Sequence, residues 1–173
     1  MDRDAELTPP TLRIYGWKRP AISLGRRQKP DDLPPEVLRM GLPMVHRPTG
    51  GGAVIHRLDE LTYAIAVPRP GAVPLSQMPV LFHQFLRDEL VRRGLVPAEE
   101  LRVVCVRREE PFSLCFNAPT CGDLLHQGRK VAGSALRAWK EGVLIQGSIQ
   151  DFPVPRSDLE EVLKEAVAVL ESP

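Results

Sequence analysis

The chain has 173 residues, 43% of them hydrophobic, and a formal net charge of +1. That length and apolar fraction suit a single domain, 1–173, with a proper core, while the near-neutral balance gives no field to favour nucleic acid as a main partner. No apolar run is long enough to span a bilayer and no signal peptide is legible, so the three cysteines point to a soluble, reducing, cytoplasmic setting rather than a disulfide scaffold.

Thr11 to Tyr15 and Ala21 to Leu24 read as short strands around Gly16-Trp17, and the 18 prolines gather in connecting stretches such as Lys29 to Pro35 and Pro68 to Pro79. A small helix is predicted from Pro35 to Met40. Met44 to Arg47 reads as a strand entering Gly50-Gly51-Gly52, and Ala53 to His56 as a strand leaving it, with Leu61 to Val67 as its hairpin partner across Arg57 to Glu60. Ser76 opens a helix that stops at Gly94, with Val80, Leu81, Phe85, Leu86 and Leu90 as its core face. Arg102 to Val106 returns to strand and places Cys105 in the core. Lys130 to Arg137 and Gly142 to Ile149 form a hairpin through Trp139-Lys140-Glu141. Ser157 and Glu160 make a capping box for a terminal amphipathic helix carrying Leu159, Val162, Leu163, Ala166, Val167 and Leu170. Without regular βαβ alternation, the pattern is that of an α+β fold with a mixed or largely antiparallel central sheet and flanking helices.

Within that frame, Arg47-Pro48-Thr49-Gly50-Gly51-Gly52-Ala53-Val54-Ile55-His56 is the most informative segment. Glycine tolerates positive φ, so successive N–H groups can face one carboxylate, phosphate or carbonyl, with Arg47 beside them as a bidentate fork. A flexible turn into the strand is the plain alternative. The segment lacks the Gly-Lys-Ser/Thr ending of a P-loop, and Ala53-Val54-Ile55 prefers a strand to the helix that a dinucleotide fingerprint opens. Further on, Gly128-Arg129-Lys130-Val131-Ala132-Gly133-Ser134-Ala135 again threads basic residues between small ones, and Gly133, Ser134 and Ala135 leave room for a substrate beside the Lys130 ammonium. A solvated hairpin lysine is the alternative there. The cysteines offer no Cys-x-x-Cys pair, so no metal is expected.

Together these two segments and Glu60-Leu61-Thr62-Tyr63 between them resemble the lipoate-protein ligase and octanoyltransferase superfamily, over a stretch from Leu12 to Ile149. The resemblance implies that Lys130 contacts substrate and stabilises a developing oxyanion. It also implies that Arg47, Thr49, Gly50, Gly51, Gly52, Ala53, His56, Gly133, Ser134 and Ala135 line the substrate site, with the apolar part of Ala53 to Val67 along the acyl chain. Phe112-Ser113-Leu114-Cys115-Phe116-Asn117-Ala118-Pro119 is similar to the segment that bears the acyl-accepting cysteine in one branch of the octanoyltransferases, which implies Cys115 as nucleophile. A neighbouring cation favours the thiolate, and acyl exchange between thiols is nearly balanced in energy. A buried structural cysteine between Leu114 and Phe116 is the alternative.

On the transferase reading, octanoyl acyl carrier protein is the donor, no intrinsic cofactor is needed, and the acceptor is a lysine of a lipoyl domain in a dehydrogenase complex or the glycine cleavage H protein. Two other readings stand beside it. One is the catalytic subunit of a lipoate-protein ligase, using ATP and magnesium and borrowing an accessory domain from another chain. The other is a non-catalytic relative that binds acyl groups or lipoyl domains. The sequence departs from the family pattern at Cys121-Gly122, where relatives often carry an aromatic pair, and at Gln146, where they carry a titratable side chain. Against that pattern it also lacks most of the first helix and a C-terminal accessory domain.

Overall fold

The computed structural model describes residues 10–68, 74–106, 114–116 and 118–169. Its main sheet runs β1 (Thr11–Tyr15), β5 (Leu61–Pro68), β9 (Gly142–Ile149), β8 (Arg129–Ala138), β7 (Leu124–His126) and β6 (Leu101–Val103), with every neighbouring pair antiparallel. A smaller sheet runs β3 (Met44–His46), β2 (Ala21–Leu24) and β4 (Val54–His56), in which β2 pairs with β3 parallel and with β4 antiparallel. The helices are α1 (Pro35–Leu38), α2 (Met78–Arg92) and α3 (Arg156–Val169). This is the α+β architecture expected from the sequence. No helix among the described residues is long and apolar enough to cross a membrane.

The main core follows strand periodicity. Leu61, Tyr63, Ile65 and Val67 of β5 and Val143, Ile145 and Ile149 of β9 are buried together with α2 and α3 side chains. Gly147 interrupts the β9 series because Tyr63, its partner across β5–β9, lays its ring over that position. A Cβ at residue 147 would fall 2.1 Å from Tyr63 Cζ and 2.2 Å from its hydroxyl oxygen. Tyr63 is fully buried and its hydroxyl lies 2.8 Å from His83 Nε2, so the ring cannot swing aside without breaking that bond. Gly147→Ala is therefore expected to cost about 1–3 kcal/mol by overpacking. A urea midpoint equal to that of the parent would show that the ring yields freely.

Several local expectations are corrected. The strand β4 does not form a hairpin with β5, whose two edges are already occupied by β1 and β9. Instead, Arg57 to Glu60 carries the chain from the small sheet to the large one. Helix α2 buries Met78, Phe82, Leu86 and Leu90, the four-residue repeat of one helical face, which leaves Leu81 46% exposed and Val80 and Phe85 on the flanks. Helix α3 begins at Arg156, so Ser157 already lies in its first turn and Glu160 pairs with Arg156 Nε at 2.7 Å rather than closing a capping box. Its core face is as expected from Leu159 to Val167, while Leu170 lies outside the described residues. The β8–β9 hairpin forms as predicted.

The strand β6 ends at Val103, short of the expected Val106, and Cys105 is consequently exposed rather than in the core. Beyond β6 the Val104 N–H donates to Asp123 O (3.0 Å) and the Gly122 N–H to Val104 O (2.8 Å), which sets Cys105 beside Cys121. The two are joined in a disulfide, contrary to the expectation of unpaired cysteines.

Candidate active site

The glycine loop leaves β3 at Arg47 and enters β4 at Val54, so both of its ends belong to the small sheet. Arg47 organises it. Its Nη1 donates to Ser23 O (2.9 Å) and Ser23 Oγ (3.2 Å), and its Nη2 to the carbonyls of Gly50 (2.6 Å) and Gly52 (2.7 Å). The fork is thus taken up by the loop's own carbonyls. Burial pulls the guanidinium below its ordinary pKa, and negative charge on Cys115 or Tyr15 would oppose that shift. Of the three glycines only Gly51 has left-handed backbone, at φ +86°. A Cβ there would meet Arg47 Nη2 at 3.0 Å. The loop also rests directly on Gly25, where a Cβ would lie 2.0 Å from Gly51 O, so no larger residue fits at position 25.

Lys130 on β8 is buried behind the site, its side chain 2% exposed. Its ammonium pairs with Asp123 Oδ2 at 2.7 Å, donates to Cys115 O at 2.8 Å and reaches Cys115 Sγ at 3.5 Å. It also lies 5.0 Å from the Phe116 ring centroid, within cation–π range. Asp123 is in turn fixed by the Thr120 N–H (2.6 Å) and the Thr120 hydroxyl (3.0 Å). Gly133 is small for a reason visible here: a Cβ would sit 2.7 Å from Lys130 Cε and 3.0 Å from Asp123 Oδ1. On the other side, the Cys115 N–H donates to Ala53 O at 2.7 Å, and Ala53 bridges to Leu114. Cys115 is therefore held between the exit of the glycine loop and the buried lysine. Phe112, Ser113 and Asn117 of its sequence motif lie outside the described residues.

A buried polar network braces the opposite wall. His56 lies with Nδ1 2.5 Å from Glu60 Oε1 and Nε2 2.7 Å from Ser23 Oγ, and its ring stacks on Trp17 at 4.0 Å. Glu60, 1% exposed, also accepts bonds from the Arg57 N–H, Thr62 Oγ1, Ser148 Oγ and Gln150 Nε2. Burial alone would raise its pKa, but these bonds and the His56 partner outweigh it and hold the carboxyl below its usual range. Trp17 is fastened by its indole N–H to Thr62 Oγ1 at 3.0 Å. Deeper in the core, burial lowers the pKa of His83, which favours the neutral ring facing Tyr63.

Between these walls, at the seam of the two sheets, is a mainly apolar cavity of about 210 Å³. Of the residues singled out in the sequence, Arg47, His56, Cys115, Gly133, Ser134 and Ala135 line it, together with Tyr15, Trp17, Gln146 and Ser148. Others stand behind the wall. Thr49 is wholly buried and donates to Gln146 Oε1 at 3.0 Å, Gly52 and Ala53 are buried, and Lys130 reaches the cavity through Cys115. Gly50 and Gly51 face a separate cleft on the outer side of the loop. From the supposed Ala53 to Val67 hairpin, only Val54, His56 and Thr62 reach the cavity wall.

Asp123, Ser23 and Gln150 are site-building residues that sequence reasoning did not single out. The signal for Asp123 was present in Thr120-Cys121-Gly122-Asp123, since Thr and Asp at that spacing favour a side-chain-closed turn, and a carboxylate buried by such a turn needs a cation.

The fold is that of lipoate-protein ligases. It superimposes with a TM-score of 0.71 on a crystal structure of lipoate-protein ligase A bound with ATP, covering 93% of this chain and 72% of that one at 16% identity. The bi-partite lipoate protein ligase of Thermoplasma acidophilum gives a TM-score of 0.61 with 93% and 71% coverage, also at 16% identity. Residues 1–168 match the lipoyl protein ligase A/B catalytic domain, and the chain belongs to that family. In sequence it is 37% identical to octanoyltransferase LipM of Exiguobacterium sp. over 94% of this chain and 60% of that protein. It is 38% identical to octanoyltransferase LipM of Geobacillus kaustophilus over 82% of this chain and 54% of that protein. The chain thus spans little more than half the length of these relatives.

Proposed function

We propose that this chain is an acyltransferase of lipoate metabolism that carries an octanoyl group on Cys115. The observation that carries the reading is a thiol on the wall of an apolar cavity with a buried ammonium 3.5 Å from its sulfur. The names of the relatives, octanoyltransferases, favour the same chemistry. The donor is octanoyl acyl carrier protein. The Cys115 thiolate attacks its thioester carbonyl, the new C–S bond forms, and the carrier thiol departs with the proton that Cys115 gave up. A lipoyl-domain lysine amine then attacks the Cys115 thioester, forming the amide and returning the thiol. Both steps pass through an oxyanion, which on this reading the Lys130 ammonium stabilises after releasing its long contact to Sγ. The compartment on this reading is the cytoplasm.

Intact-mass analysis after mixing with octanoyl carrier protein tests the reading directly. One added octanoyl group, lost on hydroxylamine treatment and moved to an apo lipoyl domain, is the expected result. Modification of the lipoyl domain only from lipoate plus ATP would instead make the chain a ligase.

The glycine loop supplies an independent check. Gly51→Val places a β-branched side chain in left-handed backbone and pushes on the Arg47 guanidinium that holds the Gly50 and Gly52 carbonyls. Octanoate binding measured by calorimetry is expected to disappear while the far-ultraviolet dichroism stays that of the parent. Undiminished binding would take the loop out of the site.

A further inference from the structure

The cleft on the outer side of the glycine loop, about 930 Å³ in volume, has no role in the steps above. Its lining includes Arg26, Arg27, Arg137, Trp139, Gln28 and Asp32. Three guanidinium groups face one carboxylate, and that carboxylate already accepts the Lys29 N–H at 2.7 Å. In a chain of net charge +1 this is a local concentration of positive charge. Arg26 and Arg27 are exposed, and the Arg137 guanidinium lies over the Trp139 ring at 4.7 Å.

Gln28 gives the second, independent sign of a ligand. It is 7% exposed, and its Oε1 accepts the Gly25 N–H at 3.3 Å. Its Nε2 is buried with no hydrogen-bond partner among the described residues. A buried donor left unpaired is costly, and Gln28 lines this cleft. A cleft lined by three arginines against a single carboxylate favours an oxyanion. Guanidinium forks match phosphate oxygens in particular.

The position of the cleft says what that phosphate is attached to. Strand β8 passes both spaces in succession, with Gly133, Ser134 and Ala135 on the cavity beside Cys115 and Leu136, Arg137 and Ala138 on the cleft. On the loop side Gly50 and Gly51 line the cleft, and a Cβ at Gly51 would meet Arg47 and Ala135, both of which line the cavity. We propose that the cleft binds the phosphate of the acyl donor's prosthetic arm, from which the flexible arm passes the glycine loop and delivers its thioester to Cys115. This deepens the transferase reading and rests on it for the identity of the thiol.

The test compares phosphopantetheine with pantetheine, which differs only in lacking the phosphate, by calorimetry, and uses the octanoyl thioesters of both as donors in the intact-mass assay. The parent protein should bind phosphopantetheine at least about tenfold more tightly, a difference of about 1.4 kcal/mol. The doubly charge-reversed variant Arg26→Glu with Arg137→Glu should bind the two alike. With octanoyl-phosphopantetheine its KM should rise about tenfold at unchanged kcat, whereas with octanoyl-pantetheine neither parameter should move. Gln28→Leu should show the same pattern more weakly. The proposal is overturned if the parent does not distinguish the two arms, or if inorganic phosphate binds as tightly as phosphopantetheine. It is overturned equally if carrier protein stripped of its arm competes as well as the intact carrier, since the cleft would then recognise protein surface. Failure of both thioesters to acylate Cys115 would remove the transferase reading, while the calorimetric comparison would still decide the phosphate site.

Discussion

Cys115→Ser is expected to lose the octanoyl adduct altogether and to slow lipoyl-domain modification from octanoyl carrier protein by about 10⁴-fold or more. A serine hydroxyl in the same place is a far poorer nucleophile than the sulfur that lies 3.5 Å from the Lys130 ammonium. The substitution changes one atom of a half-buried side chain, and its backbone bond to Ala53 O is untouched. Loss of activity with unchanged amide exchange at residue 115, whose N–H donates to Ala53 O, therefore assigns the chemistry to the sulfur. A ligase that proceeds through an acyl-adenylate has no need of that sulfur. If the variant still modifies the lipoyl domain from lipoate and ATP, Cys115 is structural and the ligase reading replaces the one advanced above.

Lys130→Ala should reduce transfer by about 10²–10³-fold, the loss of roughly 3–4 kcal/mol of oxyanion stabilisation. It should also destabilise the protein. A solvated hairpin lysine could be removed without disturbing the fold, but this ammonium is buried against Asp123, itself 2% exposed. Taking away one partner leaves a buried carboxylate without its cation, at a cost on the order of 3–5 kcal/mol. Lys130→Met combined with Asp123→Asn separates the two effects, because it removes both charges. That pair should regain most of the stability in urea denaturation and none of the turnover. Recovery of turnover in the double variant would show that Lys130 serves the fold alone.

The elements that sequence conveyed best are those whose signal is local. The β8–β9 hairpin has two well-patterned strands and a short turn, and the α3 face from Leu159 to Val167 has one unbroken helical period. What failed were statements about which strand pairs with which. Ala53 to His56 followed by Leu61 to Val67 has every mark of a hairpin, yet the turn is a crossing between sheets built around a buried Glu60. Nothing within those residues announces that β1 and β9 occupy both edges of β5. The site shows the same division. The glycines and Lys130 stood out by the small residues around them and Cys115 by the family resemblance of its segment, and the cavity does gather Cys115 with Gly133, Ser134 and Ala135. The partners of those residues did not stand out, because Asp123 for Lys130 and Ser23 for Arg47 and His56 are chosen by distance in space.

The seam between the two sheets has a practical consequence for how variants of this protein are judged. The glycine loop hangs on three short strands backed by a small cluster of Ile22, Leu24, Leu33, Val37 and Ala53, whereas Lys130 belongs to the large sheet and its far bigger core. The smaller unit can open at a lower free energy than the larger one unfolds, as local units commonly do. A melting temperature reports the larger core. A damaged small sheet would leave it nearly unchanged while one wall of the cavity falls away, so thermal stability is a poor proxy here for an intact site. Amide exchange at Arg26, whose N–H donates to Thr49 O, and at Cys115, whose N–H donates to Ala53 O, reads the seam itself.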